Sequence, residues 1–264
     1  MTNLTNLSPA EFRRLVRTGD FTSPTSGYCP GYTQANLVIV PQRYAYDFLL
    51  LAQRNPRPCP VLEVSDAGSR GLTNFATDVD LANDFPKYRV YRGGELSEEV
   101  TSVERLWQND FVSFLIGCSF SFEAELLAAG IEVRHITEEV NVPMYNTNLP
   151  LQGAGALHGN MVVSMRPIPA SQVAKAVEVT AALPRVHGAP IHVGDPASLG
   201  IKDLSHPDYG DPVTIKDGEL PVFWPCGVTP QNAIMQSKLP LVITHAPGHM
   251  LITDVLNADL KGNG

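Results

Sequence analysis

The sequence predicts an α/β protein of two lobes, in which helices pack on mostly parallel or mixed sheets. Short apolar runs that are typical of buried strands alternate along the chain with stretches of helical periodicity. A set of landmarks also occurs twice in the same order, which predicts an internal duplication with approximate two-fold symmetry. We therefore divide the 264 residues into a first half, 1–135, and a second half, 136–264, although the halves could interdigitate into the two lobes.

Two acidic strand ends and two cysteine turns are the clearest of these repeated landmarks. One apolar strand ends at Asp66 and another at Asp195, and a second pair of strands leads to Cys118 and Cys226. The spacing is 129 residues between the aspartates but 108 between the cysteines, so insertions must separate the landmarks. Symmetry of this kind would place the matching loops across one cleft, where the two cysteines would flank one substrate.

The predicted elements of the first half begin with a short helix. A capping box, Ser8-Pro9-Ala10-Glu11, marks its start, because Ser8 and Glu11 can satisfy N–H groups that are free at a helix end. A β-α-β unit and a long loop, which favours function, follow. The boundaries are a strand at 35–40, a helix at 43–54, a strand at 61–64, a loop at 65–86, a strand at 88–91 and a helix at 98–107.

The second half repeats this plan after a polar, glycine-containing segment, 141–159, that we interpret as a linker or lid. Alternation of strands and helices here again favours a sheet with helical crossovers. The boundaries are strands at 161–165, 191–193, 222–224 and 241–244, helices at 171–183 and 231–237, and an acidic loop at 194–211.

Composition and charge limit the class of partner. The formal net charge is −8 and no basic run occurs, so we expect neither nucleic acid nor an anionic membrane as partner. The sequence has no signal-peptide pattern and no apolar stretch of membrane-spanning length. Its four cysteines lack CxxC spacing, which fits a reducing cytoplasm better than a disulfide framework or a zinc site. We expect a soluble cytoplasmic protein, able to form a homo-oligomer, whose partner is a small carboxylate substrate.

Cys118 and Cys226 are the strongest candidates for catalysis. Each follows an apolar strand and precedes a predicted helix. Backbone N–H groups at a helix start stabilise an anion, so this position predicts a lowered thiol pKa and a thiolate that can act as acid or base. The alternative is that both cysteines are small buried apolar residues, which is the commonest use of a free cysteine.

Polar side chains in the same turns and at nearby strand ends are candidates for binding the substrate carboxylate. Hydroxyl and amide groups can bind it together with helix-start N–H groups, and arginine can bind it in a bidentate manner. For the arginines, the alternative is a surface ion pair. The candidate substrate-binding residues are Ser119, Ser121, Thr229, Gln231, Arg166, Arg92 and Asp195.

His245 and His249 complete the set of candidate catalytic residues. Proline and glycine lie between them and predict a turn, which is unlike the helix that would place both rings on one metal ion. One imidazole would serve as general acid or base, and a hydrogen bond within the turn is the alternative. The acidic loop at 194–211 offers oxygen ligands for Mg²⁺ or Mn²⁺, but it contains no spaced metal motif. We therefore expect no cofactor and no metal site.

Several common catalytic motifs are absent from the sequence. It contains no phosphate-binding GxxxxGK[ST], no dinucleotide-binding GxGxxG after a strand, no GxSxG and no HExxH. Phosphoryl transfer, nicotinamide chemistry and serine hydrolysis of the usual kinds therefore have no support.

Eight motifs spread along nearly the whole chain carry a specific family resemblance. They are Gly31-Tyr32-Thr33-Gln34-Ala35-Asn36, Gln53-Arg54-Asn55-Pro56, Gly117-Cys118-Ser119-Phe120-Ser121-Phe122, Asn141-Val142-Pro143-Met144-Tyr145, Val163-Ser164-Met165-Arg166-Pro167, Gly194-Asp195-Pro196, Cys226-Gly227-Val228-Thr229-Pro230-Gln231 and Thr244-His245-Ala246-Pro247-Gly248-His249. Together they resemble the family labelled "putative hydro-lyase", which is related to the D-glutamate cyclases. D-glutamate cyclase expels water as D-glutamate closes to 5-oxo-D-proline.

The resemblance implies a carbon–oxygen lyase of the hydro-lyase type, acting in amino-acid metabolism on a small amino or hydroxy carboxylic acid. Cyclisation of D-glutamate is the first candidate reaction. The family supplies no established catalytic residues, so the site assignments rest on the residues themselves. Two cysteines across a two-fold axis also resemble cofactor-independent amino-acid racemases, in which one thiolate removes the α-proton and the opposite thiol returns one. A racemase or epimerase is therefore the second hypothesis, and a non-catalytic small-carboxylate-binding protein is the third.

Overall fold

The computed structural model describes residues 7–261, which form six α-helices and eleven β-strands. The helices are α1 Pro9–Arg17, α2 Gln42–Arg54, α3 Phe120–Ala128, α4 Arg134–Thr137, α5 Val173–Ala181 and α6 Thr229–Ser237. The strands are β1 Tyr32–Pro41, β2 Val61–Val64, β3 Tyr88–Arg92, β4 Glu95–Val100, β5 Phe111–Gly117, β6 Met144–Pro150, β7 Asn160–Pro169, β8 His192–Val193, β9 Glu219–Pro225, β10 Val242–His245 and β11 Leu251–Leu256. The predicted capping box of Ser8 and Glu11 begins α1. None of the helices in this range is long and apolar enough to span a membrane.

The strands form two sheets in which every described pair of neighbouring strands is antiparallel. The first sheet has seven strands in the order β2-β5-β1-β10-β3-β4, and β11 also pairs with β1. The second sheet has four strands in the order β6-β7-β9-β8. The mixed α/β composition is confirmed, but the prediction of mostly parallel or mixed sheets is wrong.

An inserted strand explains this difference. β1, α2 and β2 do form a β-α-β unit, and β1 and β2 run in the same direction, but β5 lies between them and is antiparallel to both. β7, α5 and β8 are arranged in the same way around β9. An apolar run indicates that a strand is buried but not which strand lies beside it, so the pattern could not predict this split β-α-β arrangement.

Two further elements differ from those predicted. The predicted helix at 98–107 is instead strand β4 followed by a 3₁₀ turn at Glu104–Leu106. The acidic run suits an edge strand, because Glu99 lies opposite Arg89 of β3 and their side chains form a 3.0 Å ion pair. The predicted linker at 141–159 contains β6, which forms the edge of the second sheet by pairing with β7.

The two sheets share one pairing pattern. β1 pairs with β5 over seven residue pairs that begin at Ala35–Gly117, and β7 pairs with β9 over seven that begin at Val163–Pro225. In both cases the first strand ends at a proline that precedes a helical segment, and the second strand leads into a cysteine turn and a helix. The short outer strands β2 and β8 join β5 and β9 at equivalent residues.

The strands that follow the two cysteine helices, α3 and α6, cross to the other sheet. β6 follows α3 and pairs with β7, whereas β11 comes after α6 and pairs with β1. Tyr145 lies opposite Val163, and Leu251 lies opposite Ala35, so β6 and β11 occupy equivalent places in the two pairing patterns. Each sheet therefore receives a strand that follows the cysteine helix of the other sheet.

Ser121 and Thr229 hold equivalent positions three residues after the two cysteines. Ser121 Oγ accepts a hydrogen bond from Gln34 N–H at 3.0 Å and donates to the Gln34 carbonyl oxygen at 3.4 Å. Thr229 Oγ1 accepts from Val162 N–H at 3.0 Å and donates to the Val162 carbonyl oxygen at 3.2 Å. Each hydroxyl thus ties a cysteine helix to a neighbouring strand, and substrate binding by these two residues stays a prediction.

The largest apolar cluster of the described residues contains side chains from both sheets. It contains Leu37 of β1, Phe122 of α3 and Trp224 of β9, and the rings of Phe122 and Trp224 are 5.5 Å apart. The opposite face of the first sheet is covered by α2 and α6, through Phe48 and Ile234. Burial on both faces explains why β1 and β5 are apolar at most positions.

Removal of either bridging hydroxyl should lower the free energy of unfolding. In Ser121→Ala and Thr229→Ala a buried backbone N–H loses its acceptor, and we expect each change to cost about 1–3 kcal/mol. Urea unfolding at equilibrium measures the loss. Ser205→Ala, in an exposed loop, is the control and should change stability by less than about 0.5 kcal/mol. A loss in Thr229→Ala no larger than that of the control would contradict the role of this bridge.

Candidate functional site

Cys118 and Cys226 follow the ends of β5 and β9 and line the same small buried cavity, which we call the thiol cavity. The volume available there to the centre of a water molecule is about 10 Å³, which is room for one water molecule. The structure thus brings together the two cysteine turns that the sequence predicted to share a cleft. The other lining residues are Asn36, Ser119, Phe120, Val142, Met144, Gly227, Val228, Gly248 and Met250.

Gly227 allows the second cysteine turn to approach the first sheet closely. A methyl group in place of its hydrogen would overlap the side-chain amide of Asn36. That amide donates to the carbonyl oxygen of Gly117 at 2.7 Å, so Asn36 links the two cysteine turns. A side chain at position 227 would therefore push the turns apart.

Burial controls the pKa values of both thiols. Removal from water raises the pKa of Cys226 to about 11 and raises that of Cys118 well above its ordinary value. Backbone N–H groups oppose this effect, since Phe120 N–H lies 3.5 Å from Cys118 Sγ, but they do not overcome it. The predicted lowering of the thiol pKa is therefore wrong, and both cysteines carry neutral thiols at neutral pH.

Arg166 lies behind the thiol cavity and is fully buried on β7. Its guanidinium donates to Ser119 Oγ at 3.1 Å, to Glu123 Oε1 at 2.5 Å and to Ser164 Oγ at 3.0 Å. The guanidinium carbon also lies 5.5 Å from the centre of the Trp224 ring. Arg166 does not line the thiol cavity itself but contacts its lining through Ser119, and its binding of a substrate carboxylate stays a prediction.

Glu123 and His135 adjoin Arg166, and no motif in the sequence identified either as a site residue. Glu123 Oε1 lies 3.1 Å from His135 Nε2, although the angle is not that of a hydrogen bond. Burial raises the pKa of Glu123, but the neighbouring His135 imidazole and Arg166 guanidinium outweigh burial and hold the pKa below its ordinary value. Glu123 is therefore a buried carboxylate. The available sequence signal is one acidic residue in the otherwise uncharged start of a helix that should be buried.

A larger cavity, which we call the groove, lies beside the thiol cavity. Its volume is about 580 Å³, and its lining residues include His135, Asn141 and Asp211. Asn141 directly precedes Val142 of the thiol cavity, and its side-chain amide lies close to Gly248, which also lines that cavity. The groove and the thiol cavity are thus neighbours, and the groove has the volume that a small-molecule site requires.

His245 and His249 are both buried, and burial disfavours a charge on either ring. His245 Nδ1 accepts from Leu37 N–H at 3.1 Å, and burial lowers the pKa of His245 to about 3. His249 Nδ1–H donates to the Pro247 carbonyl oxygen at 2.9 Å, and burial lowers the pKa of His249 as well. His249 lies in the chain between two residues of the thiol cavity, whereas His245 does not line that cavity.

Three other predicted binding residues have structural partners elsewhere. Arg92 is exposed on β3 and lies 3.5 Å from Glu98. Asp195 caps the 3₁₀ turn that follows it, and the Gln231 amide donates to the His245 carbonyl oxygen at 3.0 Å. These three side chains do not line the thiol cavity or the groove, and their binding of substrate stays a prediction.

The acidic loop is bonded to the segment that carries β6. Asp208 accepts from Asn146 N–H at 2.8 Å, and Asp211 accepts from Asn141 N–H at 2.9 Å. Within residues 7–261, no group of three or more His, Cys, Asp or Glu side chains is placed to hold a metal ion. Both of these loop carboxylates accept hydrogen bonds from backbone N–H groups, and the expectation of no metal site stays a prediction.

Comparison with known proteins gives close relatives. The family model described as D-glutamate cyclase matches residues 112–254. A protein named "Putative hydro-lyase" from Clostridium beijerinckii is 63% identical over 97% of each chain, and one of the same name from Stutzerimonas stutzeri is 57% identical over 98% of each chain. The crystal structure of a nitrogen repressor-like protein from Methanococcus jannaschii aligns over 93% of this chain and 98% of that chain. Its TM-score of 0.38 and identity of 9% are too low to support an argument.

The burial of a neutral His245 should make the fold sensitive to acid. An unfolded histidine takes up a proton near its ordinary pKa of 6.5, whereas folded His245 stays neutral down to about pH 3. Between these values the unfolded state binds more protons, so each pH unit of acidification should remove about 1.4 kcal/mol of stability for this group.

We expect urea unfolding to show a smaller loss of stability below pH 6.5 for His245→Gln than for the wild type. His158→Gln is the matched control, because it makes the same substitution at an exposed histidine. If the stability of His245→Gln depends on pH as that of the wild type does, burial of neutral His245 is not the cause of the acid sensitivity.

Proposed function

Because this chain belongs to the D-glutamate cyclase family, we propose that it is a hydro-lyase that acts on a small amino or hydroxy carboxylic acid. The first candidate reaction is the closure of D-glutamate to 5-oxo-D-proline with release of water. The four cysteines are free thiols, which supports a cytoplasmic location for this reaction.

The meeting of two cysteine turns beside a polar groove is the observation that carries this proposal. A helix begins directly after each turn, so backbone N–H groups are available there for a carboxylate. The neutral thiols of Cys118 and Cys226 can donate to the same carboxylate without adding a like charge. The thiol cavity is too small for glutamate, so the body of the substrate would lie in the groove and its reacting end would face the thiols.

The proton balance of ring closure defines what else the site needs. One C–N bond forms and one C–O bond breaks, while the ammonium nitrogen gives up two protons and the departing oxygen takes up two as it becomes water. No net proton is consumed, so one group that accepts at nitrogen and donates at oxygen is sufficient. The raised thiol pKa values make the cysteines poorly suited to this exchange, and their proposed role is to bind and orient the carboxyl group.

We also propose that the chain arose by internal duplication. The equal registers of β1–β5 and β7–β9 support this origin, as do the equivalent hydroxyl bridges of Ser121 and Thr229. The two cysteine turns would then be one structural feature used twice, which accounts for their meeting at one cavity.

Purified protein should convert D-glutamate to 5-oxo-D-proline, which mass spectrometry and chiral chromatography can follow. L-glutamate is the matched control substrate, and other amino and hydroxy dicarboxylates, each with and without Mn²⁺, complete the panel. No product from any of them would contradict the lyase proposal. A raised melting temperature with one acid but no product would favour the non-catalytic binding protein, since a ligand of the native state stabilises it by mass action.

A cofactor-independent racemase or epimerase is the second candidate, because thiols from two different sheets line one cavity. Such an enzyme needs one thiolate and one thiol on opposite sides of the α-carbon. The raised pKa values of Cys118 and Cys226 disfavour a resting thiolate, which places this candidate below the lyase.

Turnover in deuterated water separates the two mechanisms. A racemase should return substrate with deuterium at the α-carbon, and Cys118→Ser and Cys226→Ser should each lower kcat by about 100-fold or more. A cyclase needs no α-exchange, and serine keeps a hydrogen-bond donor, so kcat should stay within about tenfold of the wild type. Deuterium at the α-carbon would count against the cyclase, and its absence during turnover would remove the two-base mechanism.

A further inference from the structure

We propose that His135, positioned by Glu123, is the acid–base catalyst of this site, and that the groove binds the α-amino and α-carboxylate groups of an amino dicarboxylate. The inference rests on the proposed function and assigns its proton transfers to one residue. Three features of the described structure support it: the placement of His135, the carboxylate of Glu123 behind it, and the unpartnered polar atoms in the groove. The proton balance of the reaction supports it as well.

His135 is placed to act in the groove. Its side chain is only 1% exposed, yet it forms part of the groove lining. Phe120 stacks on the imidazole, with 6.2 Å between the ring centres and an interplanar angle of 26°. Phe120 also lines the thiol cavity, so a ligand in the groove meets a fixed imidazole one side chain away from the thiols.

Glu123 supplies the negative charge behind that imidazole. Its Oε1 lies 3.1 Å from His135 Nε2 and 2.5 Å from Arg166 Nη2. Since Arg166 is permanently charged, the pair with Glu123 persists while His135 gains and loses a proton. Buried charges of this kind are weak contributors to stability, because apolar residues of similar volume often stabilise a core equally well. A buried ion pair with an imidazole against it, beside a groove, is therefore better explained by function.

Two further polar atoms of the groove lack partners. Ser26 Oγ and Asn141 Oδ1 are buried without a hydrogen-bond partner among residues 7–261, and both residues line the groove. Such atoms are uncommon in folded proteins unless a ligand or water completes them. Asn141 Oδ1 can only accept, which suits an ammonium group, and the Ser26 hydroxyl can donate to a carboxylate. Glu139 and Asp211 also line the groove and favour a cationic group.

The cyclisation can then be written with one imidazole. Neutral His135 accepts a proton from the α-ammonium group and passes it to the oxygen of the side-chain carboxylate that will leave. The resulting amine attacks the carbon of that side-chain carboxyl group and forms the C–N bond. His135 accepts the second proton from nitrogen and delivers it to the same oxygen, which departs as water when the C–O bond breaks. The imidazole ends in its starting state, as the overall balance requires.

The test measures kcat, KM and imidazole rescue in His135→Ala. We expect kcat to fall by about 100-fold or more, while KM changes by less than about threefold, because the remaining groove still binds the substrate. Added imidazole should restore activity in proportion to its concentration, since the vacated volume opens onto the groove. His187→Asn is the matched control, because His187 is also 1% exposed but lines neither cavity, and it should keep the wild-type kcat.

Glu123→Gln tests the positioning role, because it keeps the size of the side chain and removes the charge. We expect a fall in kcat of about tenfold or more with a KM near that of the wild type. Imidazole should give no rescue here, since the ring of His135 still occupies its place. An unchanged kcat in Glu123→Gln would remove Glu123 from the mechanism.

Unchanged kcat in His135→Ala would overturn the assignment, and so would a loss that imidazole fails to restore in protein with a native melting temperature.

If His135→Ala does not fold, His135→Gln replaces it, since glutamine can form hydrogen bonds but cannot carry the proton. Full activity in His135→Gln would then overturn the assignment, and a loss confined to kcat would support it. A wild-type protein that is inactive toward every acid in the panel would contradict the proposed function itself. An active wild type with equally active variants would contradict only the assignment of His135.

Discussion

The ion pair between Arg166 and Glu123 joins the two sheets at the point on which the candidate site depends. Arg166 belongs to β7 of the second sheet, and Glu123 belongs to α3, which follows the cysteine turn of the first sheet. Either charge alone would be strongly unfavourable in this interior, so the native fold must bring α3 and β7 together. Because the same two side chains contact Ser119 and His135, the linings of both cavities follow from this one electrostatic requirement.

The same interior treats paired and unpaired ionisable groups in opposite ways. Glu123 lies against the Arg166 guanidinium and remains charged although it is fully buried, whereas Cys226 and His245 have no cation close enough to offset desolvation and remain neutral. The helix-start N–H groups near the thiols are too weak to reverse this outcome. The site thus combines one permanently charged cluster with neutral hydrogen-bonding groups, an arrangement that suits a substrate carrying charges of both signs.

The sequence predicts the buried parts of this fold better than the contacts between them. Apolar runs locate β1 and β9 because these strands are buried over most of their length. The repeated landmarks predict that Cys118 and Cys226 lie near each other, and both line one cavity. The neighbours of each strand cannot be predicted, because the hydropathy of a strand does not indicate which other strand forms hydrogen bonds with it. For the same reason the sequence cannot separate a substrate-binding hydroxyl from a bridge, since Ser121 bonds to a residue 87 positions away. His135 escapes prediction because the partners that give it a role, on α3 and β7, become its neighbours only in the folded chain.

The order of strands in the first sheet also has a consequence for synthesis of the chain. The early hairpin of β3 and β4 is attached to β1 only through β10, which is made some 140 residues later. Until the ribosome has added Val242–His245, β1 and β3 present open edges, and such edges pair readily with other chains. The fold must therefore close through very non-local contacts after nearly all residues have been translated, an order of events that favours slow folding and exposes the nascent chain to aggregation.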